Sequence, residues 1–277
     1  MRILFCGVRG STPSPGREFC RVGGHTSCVA IASAGDDWRL VLDAGTGLRR
    51  LDARFGDRPF RGAIVLTHMH WDHMQGVPFF RSADRPDAEV GVYLPAQAGF
   101  AAGADAAELL AGSMSPPHFP IGPADLRGEW TFTALGTGTH TIAGFSVTAV
   151  AVPHKGGETF GYRVDNGASS CAYIPDHQPN AASAAQRHAM LEMVHGVDVL
   201  LHGGQFVESE RETADKFGHA TVGDAVEIAV RGACGRLVLL HHAPYRTDEQ
   251  VADIVASAAR GAPFPVGAAC EEDVLEV

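Results

Sequence analysis

Thr67-His68-Met69-His70-Trp71-Asp72-His73 follows the apolar run Gly62-Ala63-Ile64-Val65-Leu66 and places three imidazoles and a carboxylate within seven positions. The apolar run reads as a strand. On an extended segment successive side chains alternate, so His68 and His70 fall on one side and converge on one divalent ion. Asp72 and His73 come where the chain turns, free to hold a second ion beside the first. The competing reading is a histidine-rich surface loop, but four ligand-type side chains at this spacing behind a buried strand favour metal.

Outward from this segment, strand-like runs bounded by Gly, Asp and Pro occur at 3–7, 28–33, 39–43, 63–67 and 90–94. A second series lies at 130–135, 145–152, 160–164, 170–174, 197–201 and 237–241. Helical patterns cover 182–195, 222–231 with Thr221 as cap, and 248–260 with Thr247 as cap. Two strand-rich halves with helices between predict two sheets packed face to face and covered by helices on both outer faces. Residues 98–128, rich in Ala, Gly and Pro, break the pattern and contain Met114-Ser115-Pro116-Pro117-His118-Phe119-Pro120. They read as a helix and loop that covers the pocket, shaped by Met114, His118 and Phe119, or else as a loop packed on the core edge. Residues 1–277 are expected to form one domain.

The 277 residues are 45% hydrophobic, with 22 Lys plus Arg against 32 Asp plus Glu, a formal net charge of −10. No basic run is interleaved with aromatics. Long nucleic acid is therefore not the expected partner, since binding it needs a positive field; bound divalent ions would add positive charge only at the site. A small-molecule substrate is expected instead. Cys6, Cys20, Cys28, Cys171, Cys234 and Cys270 are scattered without a CxxC pair, which reads as mostly buried thiols of a reducing compartment. No apolar run is long enough to span a membrane and no signal peptide is seen, so the expected setting is cytoplasmic, without membrane. A homodimer is compatible with the sequence.

The segment Leu66-Thr67-His68-Met69-His70-Trp71-Asp72-His73-Met74-Gln75-Gly76 resembles the signature of the metallo-β-lactamase superfamily of hydrolases. Gly7-Val8-Arg9-Gly10-Ser11-Thr12-Pro13, Gly23-Gly24-His25-Thr26-Ser27-Cys28 and Leu42-Asp43-Ala44-Gly45-Thr46-Gly47 are similar to the opening strands and turns of its branch related to the tRNA 3′-end-processing endonuclease and bacterial phosphodiesterases. His25 stands where that branch usually has Asn. The resemblance implies an αββα four-layer sandwich with metals at one end between the sheets.

It also implies the remaining ligands. His154 precedes Thr159-Phe160-Gly161-Tyr162-Arg163 as in the family's third-histidine motif. Asp176 stands where the family has a carboxylate bridging both ions. His241 ends a strand where the family has its last histidine, with His242 adjacent as the competitor. His68, His70 and His154 would then hold one ion, Asp72, His73 and His241 the other, with Asp176 shared. The cofactors expected are two divalent ions, zinc first, with Mn, Fe or Ni as alternatives. Gly218-His219-Ala220-Thr221 resembles the motif that carries a catalytic histidine, so His219 would protonate the leaving group or stabilise charge, beside Asp72 in the catalytic set. Relatives carry an acidic residue after the segment corresponding to Leu200-Leu201-His202, where this chain has Gly203-Gly204-Gln205. Glu208 or Glu210 would have to replace it. His177 reads as a pocket residue or an exposed one, the latter being preferred.

The reaction implied is attack by a metal-bridging hydroxide on a small phosphodiester. Relatives that cleave tRNA precursors insert an RNA-binding arm between the third histidine and the bridging aspartate, and here only 22 residues separate His154 from Asp176. The alternatives are a lactonase or thioesterase on the same metals, and a metal-binding sensory module without turnover.

Overall fold

The computed structural model describes residues 1–97 and 106–277. The strands are β1 (Arg2–Gly7), β2 (Cys28–Ala32), β3 (Leu40–Leu42), β4 (Arg61–Val65), β5 (Glu89–Pro95), β6 (Glu129–Leu135) and β7 (Gly138–Ile142). They continue with β8 (Phe145–Ala151), β9 (Phe160–Asp165), β10 (Ser170–Ile174), β11 (Val199–Gly203), β12 (Leu237–Leu240), β13 (Val266–Ala268) and β14 (Val274–Glu276). The α-helices are α1 (Asp52–Phe55), α2 (Trp71–Met74), α3 (Ala106–Ala111), α4 (Ala184–Val194), α5 (Arg211–Phe217), α6 (Val222–Arg231) and α7 (Asp248–Ala259). One sheet runs β14-β1-β2-β3-β4-β5-β6 and the other β13-β12-β11-β10-β9-β8-β7.

Three apolar clusters show the layering. Ile3, Phe5, Ile31, Leu42 and Val65 of the first sheet meet Val147, Tyr162, Tyr173, Leu201 and Val238 of the second. The alternate residues Leu4, Ala30, Val41 and Ile64 face outward onto Leu48, Phe55, Phe60, Met74 and Leu110. Likewise Ala172, Ile174, Leu200 and Leu239 pack on Met190 and Met193 of α4 and Ala225 and Ile228 of α6. The result is the αββα sandwich. Central strands such as β2, β10 and β11 are buried at every position, which is why they read as continuous apolar runs and not as alternation.

The three long helices fall where the periodicity puts them. Thr221 Oγ1 accepts the Asp224 N–H and Thr247 Oγ1 the Gln250 N–H, as their capping pattern requires. β7, β13 and β14 escape the hydrophobic pattern because β7 is largely polar and the other two have three residues each. No described helix is long and apolar enough to cross a membrane. Of the 98–128 segment, residues 98–105 lie outside the described residues. In the remainder Met114 is buried in the outer core, His118 is exposed, and the Phe119 ring meets Phe79 edge-on at 5.8 Å.

Strand direction decides which loops lie together. β10, β11 and β12 are mutually parallel, and β9 is antiparallel to both β8 and β10. The C-terminal ends of β8, β10 and β12 therefore open at the same end of the second sheet.

Candidate metal centre

The segment after β4 is held from below by one carboxylate. Thr67 donates its N–H (2.7 Å) and its hydroxyl (2.9 Å) to Asp43, and His73 Nδ1 (2.8 Å) and the Tyr173 hydroxyl (2.9 Å) bond the same fully buried side chain. With Thr67 donating to Asp43, its oxygen is free to accept from His68 Nδ1 at 3.0 Å. His154 Nδ1 donates to the Gly218 carbonyl at 2.6 Å. These bonds commit the Nδ1–H of His68, His73 and His154, so each Nε2 lone pair turns inward.

Inside, the donors converge. His68 Nε2 and His70 Nδ1 are 2.8 Å apart, and His154 Nε2 is 3.3 Å from the same His70 atom. One ligand atom each from His68, His70 and His154 lie within 4.8 Å of one another, and the same holds for Asp72, His73 and His241. Asp72 Oδ2 is 3.2 Å from His241 Nε2 and 3.3 Å from His73 Nε2. Asp176 sits between the sets: Oδ2 is 2.8 Å from His73 and 3.5 Å from His68, while Oδ1 is 3.3 Å from His241 and 3.1 Å from His219 Nδ1. The seven residues singled out from sequence, and His219, are thus one cluster.

Its chemistry fits divalent cations. His68 and His154, each with its Nδ1 committed elsewhere, both turn Nε2 toward His70 Nδ1, at 2.8 and 3.3 Å, a convergence of imidazole nitrogens that a cation can occupy. Burial holds His68 below the ordinary imidazole value and pushes His154 down to about 4, so both are neutral ligands. For Asp72 and Asp176 burial works upward but is outweighed by His73 and His241, so both carboxyls stay well below the usual range. His73 is the complement: burial works downward and is outweighed by Asp72, Asp43 and Asp176, and its value is raised. Three buried carboxylates around one imidazole demand positive charge there.

The loop after β1 closes the other side. Ser11 N–H donates to Asp72 Oδ2 at 2.7 Å, and Gln205 Nε2 reaches Ser11 Oγ at 3.2 Å. A Cβ at Gly10 would collide with the His241 ring, so only glycine allows this approach. Arg9, fully buried, pins the loop through the carbonyls of Gly23 (2.6 Å) and Arg246 (2.7 Å) and an ion pair with Asp248 at 3.5 Å. Asp43 and His241 both adopt left-handed backbone, φ 58° and 53°, unusual for non-glycine residues.

Three residues essential to this arrangement carried little sequence signal. Asp43 was visible only as part of a turn motif; Tyr173 looked like strand filler, and the Gly218 carbonyl is backbone. His177, expected at the surface, is 1% exposed and packs toward His202, ring centroids 5.8 Å apart, because the chain past Asp176 turns under α6 and not outward. Neither proposed acidic substitute faces His219. Glu208 bonds Arg211 and Thr221, and Glu210 bonds Arg246. Asp176 itself meets His219 Nδ1, and the His219 ring packs on Phe206 with centroids 5.5 Å apart. His242 lies off the cluster, its backbone paired with the loop after β1, Gly10 N–H to His242 O at 3.0 Å. His25 is likewise outside it, 2.9 Å from Glu271.

Two facing sheets with a buried histidine–aspartate cluster at their open end define a class, the metal-dependent hydrolases of the metallo-β-lactamase fold. Residues 38–242 match the family described as Beta-lactamase superfamily domain, and the chain belongs to it. Within that family it is similar to Ribonuclease Z of Haloarcula marismortui, 23% identical over 278 residues that cover 87% of this chain and 86% of the relative. Among solved structures it is similar to the metallo-beta-lactamase fold protein YhfI from Bacillus subtilis, with TM-score 0.74, 18% identity and 99% of each chain covered. A diphosphatase from the PhnP family superposes with TM-score 0.68 at 18% identity, covering 100% of this chain and 97% of the other. Human tRNase Z, short form, does so with 0.67 at 18%, covering 100% and 99%.

These relatives overturn the exclusion of long nucleic acid, since a ribonuclease acts on RNA. The exclusion rested on the net charge of −10, a sum over the whole surface, whereas contacts with phosphates are made by local fields.

Proposed function

We propose that the chain is a dinuclear phosphodiesterase acting on a small phosphodiester. The observation that supports this most is Asp176, whose two oxygens face both three-residue sets and His219. In this reading His68, His70 and His154 would hold one ion, Asp72, His73 and His241 the other, and Asp176 both, with zinc the first candidate and Mn, Fe or Ni alternatives. When bound, two divalent ions would supply a water of lowered pKa and positive charge opposite a developing oxyanion. His219 keeps Nδ1 on Asp176 and has Nε2 left to give a proton to the leaving oxygen. Asp72 is oriented by the Ser11 N–H. Phe206 walls the far side of His219 from water. Residues 1–277 act as one domain in this reading. Six unpaired cysteines support a reducing, cytoplasmic setting.

The name of the curated relatives favours a second reading, in which the phosphodiester belongs to an RNA chain. Hydrolysis of bis(p-nitrophenyl) phosphate, cyclic nucleotides and a tRNA precursor, alongside lactones and thioesters, separates them. Preference for the small phosphodiesters is the expected result. Faster cleavage of the RNA selects the second reading, and faster hydrolysis of a lactone or thioester, or turnover of none, overturns both.

A further inference from the structure

Only two of the 22 cationic side chains are lysines, Lys155 and Lys216, and they meet at the edge of the centre. Lys155 Nζ donates to the carbonyl of Lys216. Lys216 Nζ stands 5.7 Å from the centre of the Phe217 ring. Both lysines are exposed, and Phe217 is 54% exposed although its ring is apolar. Asp215, the acidic residue next in sequence, is turned to Asn180 Nδ2 at 2.7 Å. Among the described residues neither ammonium forms an ion pair, so two uncompensated positive charges and a half-exposed ring share one shelf.

The shelf is fixed to the catalytic groups. Lys155 follows His154 directly, and Phe217 is two residues before His219. Gly218 joins the two sides: it ends α5 in left-handed backbone at φ 83°, and its carbonyl takes the His154 Nδ1–H at 2.6 Å. A Cβ at Gly218 would stand 3.0 Å from the Lys155 backbone N and 3.2 Å from His154 Nδ1, so the C-terminus of α5 packs directly on the turn that carries His154 and Lys155. An α-helix C-terminus attracts a lysine for its own sake, which accounts for Lys155 on the Lys216 carbonyl. It does not account for a ring left 54% exposed or for the Lys216 ammonium set over that ring and not in an ion pair.

We propose that Lys155, Lys216 and Phe217 form a subsite for the nucleotide adjoining the scissile phosphodiester. The two ammoniums take its next phosphate and the Phe217 ring stacks on its base. This rests on the phosphodiesterase reading for the identity of the bond cleaved, but its test does not need turnover.

The test is calorimetric binding to the metal-loaded protein of thymidine 3′,5′-bisphosphate, thymidine 5′-monophosphate and an eight-nucleotide single-stranded RNA. Wild type is expected to bind the bisphosphate about tenfold tighter than the monophosphate, and the doubly substituted Lys155→Gln, Lys216→Gln protein less than about twofold tighter, with unchanged metal content. Phe217→Ala is expected to weaken both nucleotides by roughly fivefold or more while leaving inorganic pyrophosphate affinity in place. RNA binding well above that of the bisphosphate identifies a chain as the source of the nucleotide, and equal binding a small nucleotide. If the double variant melts lower, Lys216→Gln alone serves, since its ammonium makes no backbone bond. A bisphosphate preference that survives removal of both ammoniums overturns the subsite; failure to hydrolyse any phosphodiester with that preference intact in wild type and lost in the variant overturns only the reaction.

Discussion

The two sheets feed the centre in unlike ways. The first delivers His68, His70, Asp72 and His73 from one turn after β4, braced by Asp43 on the neighbouring strand end. The second delivers His154, Asp176, His219 and His241 from four separate loops, each placed by a different strand or helix end. The first half is nearly formed by local sequence. The second exists only when β8 to β12 are in register, so a bound ion would act as a cross-link between a local element and a global one.

The largest break in this comparison is at its junction. Asp176→Ala is expected to empty both sets and lower phosphodiester hydrolysis by more than about 10⁴-fold, beyond the effect of losing a single proton-transfer group. Elemental analysis checks it: two ions per chain in wild type against fewer than one in the variant. Retention of both ions would mean that Asp176 joins nothing.

Next comes a residue of the distal half that acts on substrate. His219→Ala is expected to cost on the order of 10²–10⁴ in kcat with both ions retained. A wild-type rate would remove His219 from the reaction.

The brace of the local half should matter less. Asp43→Asn keeps the shape but removes the charge that meets His73 and the acceptor shared by Thr67 and Tyr173, and a loss of about 10–100-fold in metal affinity is expected. Metal competition with a chromogenic chelator measures it. An equal loss from a conservative change at Ser170, which bonds Asp198 at the far end of β10, would erase the distinction between the halves.

The smallest effect is on acid stability of the chelated protein. Burial pushes His154 down to about 4, and His177 and His242 to about 3. Each is protonated near 6.5 in an unfolded chain, so between those values the unfolded state holds more protons and stability falls as pH falls. The melting temperature of chelated protein is expected to drop steadily below about pH 6.5, and His177→Gln to flatten that slope. A melting temperature independent of pH from 7 to 4 would contradict the buried, neutral state of these rings.

The same asymmetry decided what could be read from the sequence. His68 to His73 announce themselves because their ligand geometry is contained in six residues, and the continuous apolar runs and capped helices gave the layers. His154, Asp176 and His241 needed the family resemblance, since a lone polar residue at a strand end has no pattern of its own. Asp43, Tyr173 and the Gly218 carbonyl were illegible as supports because their partners are far along the chain or are backbone atoms. The burial of His177 was illegible because alternation says nothing about the path taken after a strand ends.

Asp43 and His241 have a further consequence for anyone selecting hardier variants. Their left-handed backbone costs about 1–2 kcal/mol each for a side chain bearing a Cβ, and glycine would relieve part of that, less its own entropy of ordering. A library screened for heat resistance or yield would keep Asp43, because its buried carboxylate is the acceptor for Thr67, His73 and Tyr173, but would drift toward glycine at His241 and lose activity without losing fold. At His241 thermal hardening and turnover pull the chain toward different amino acids.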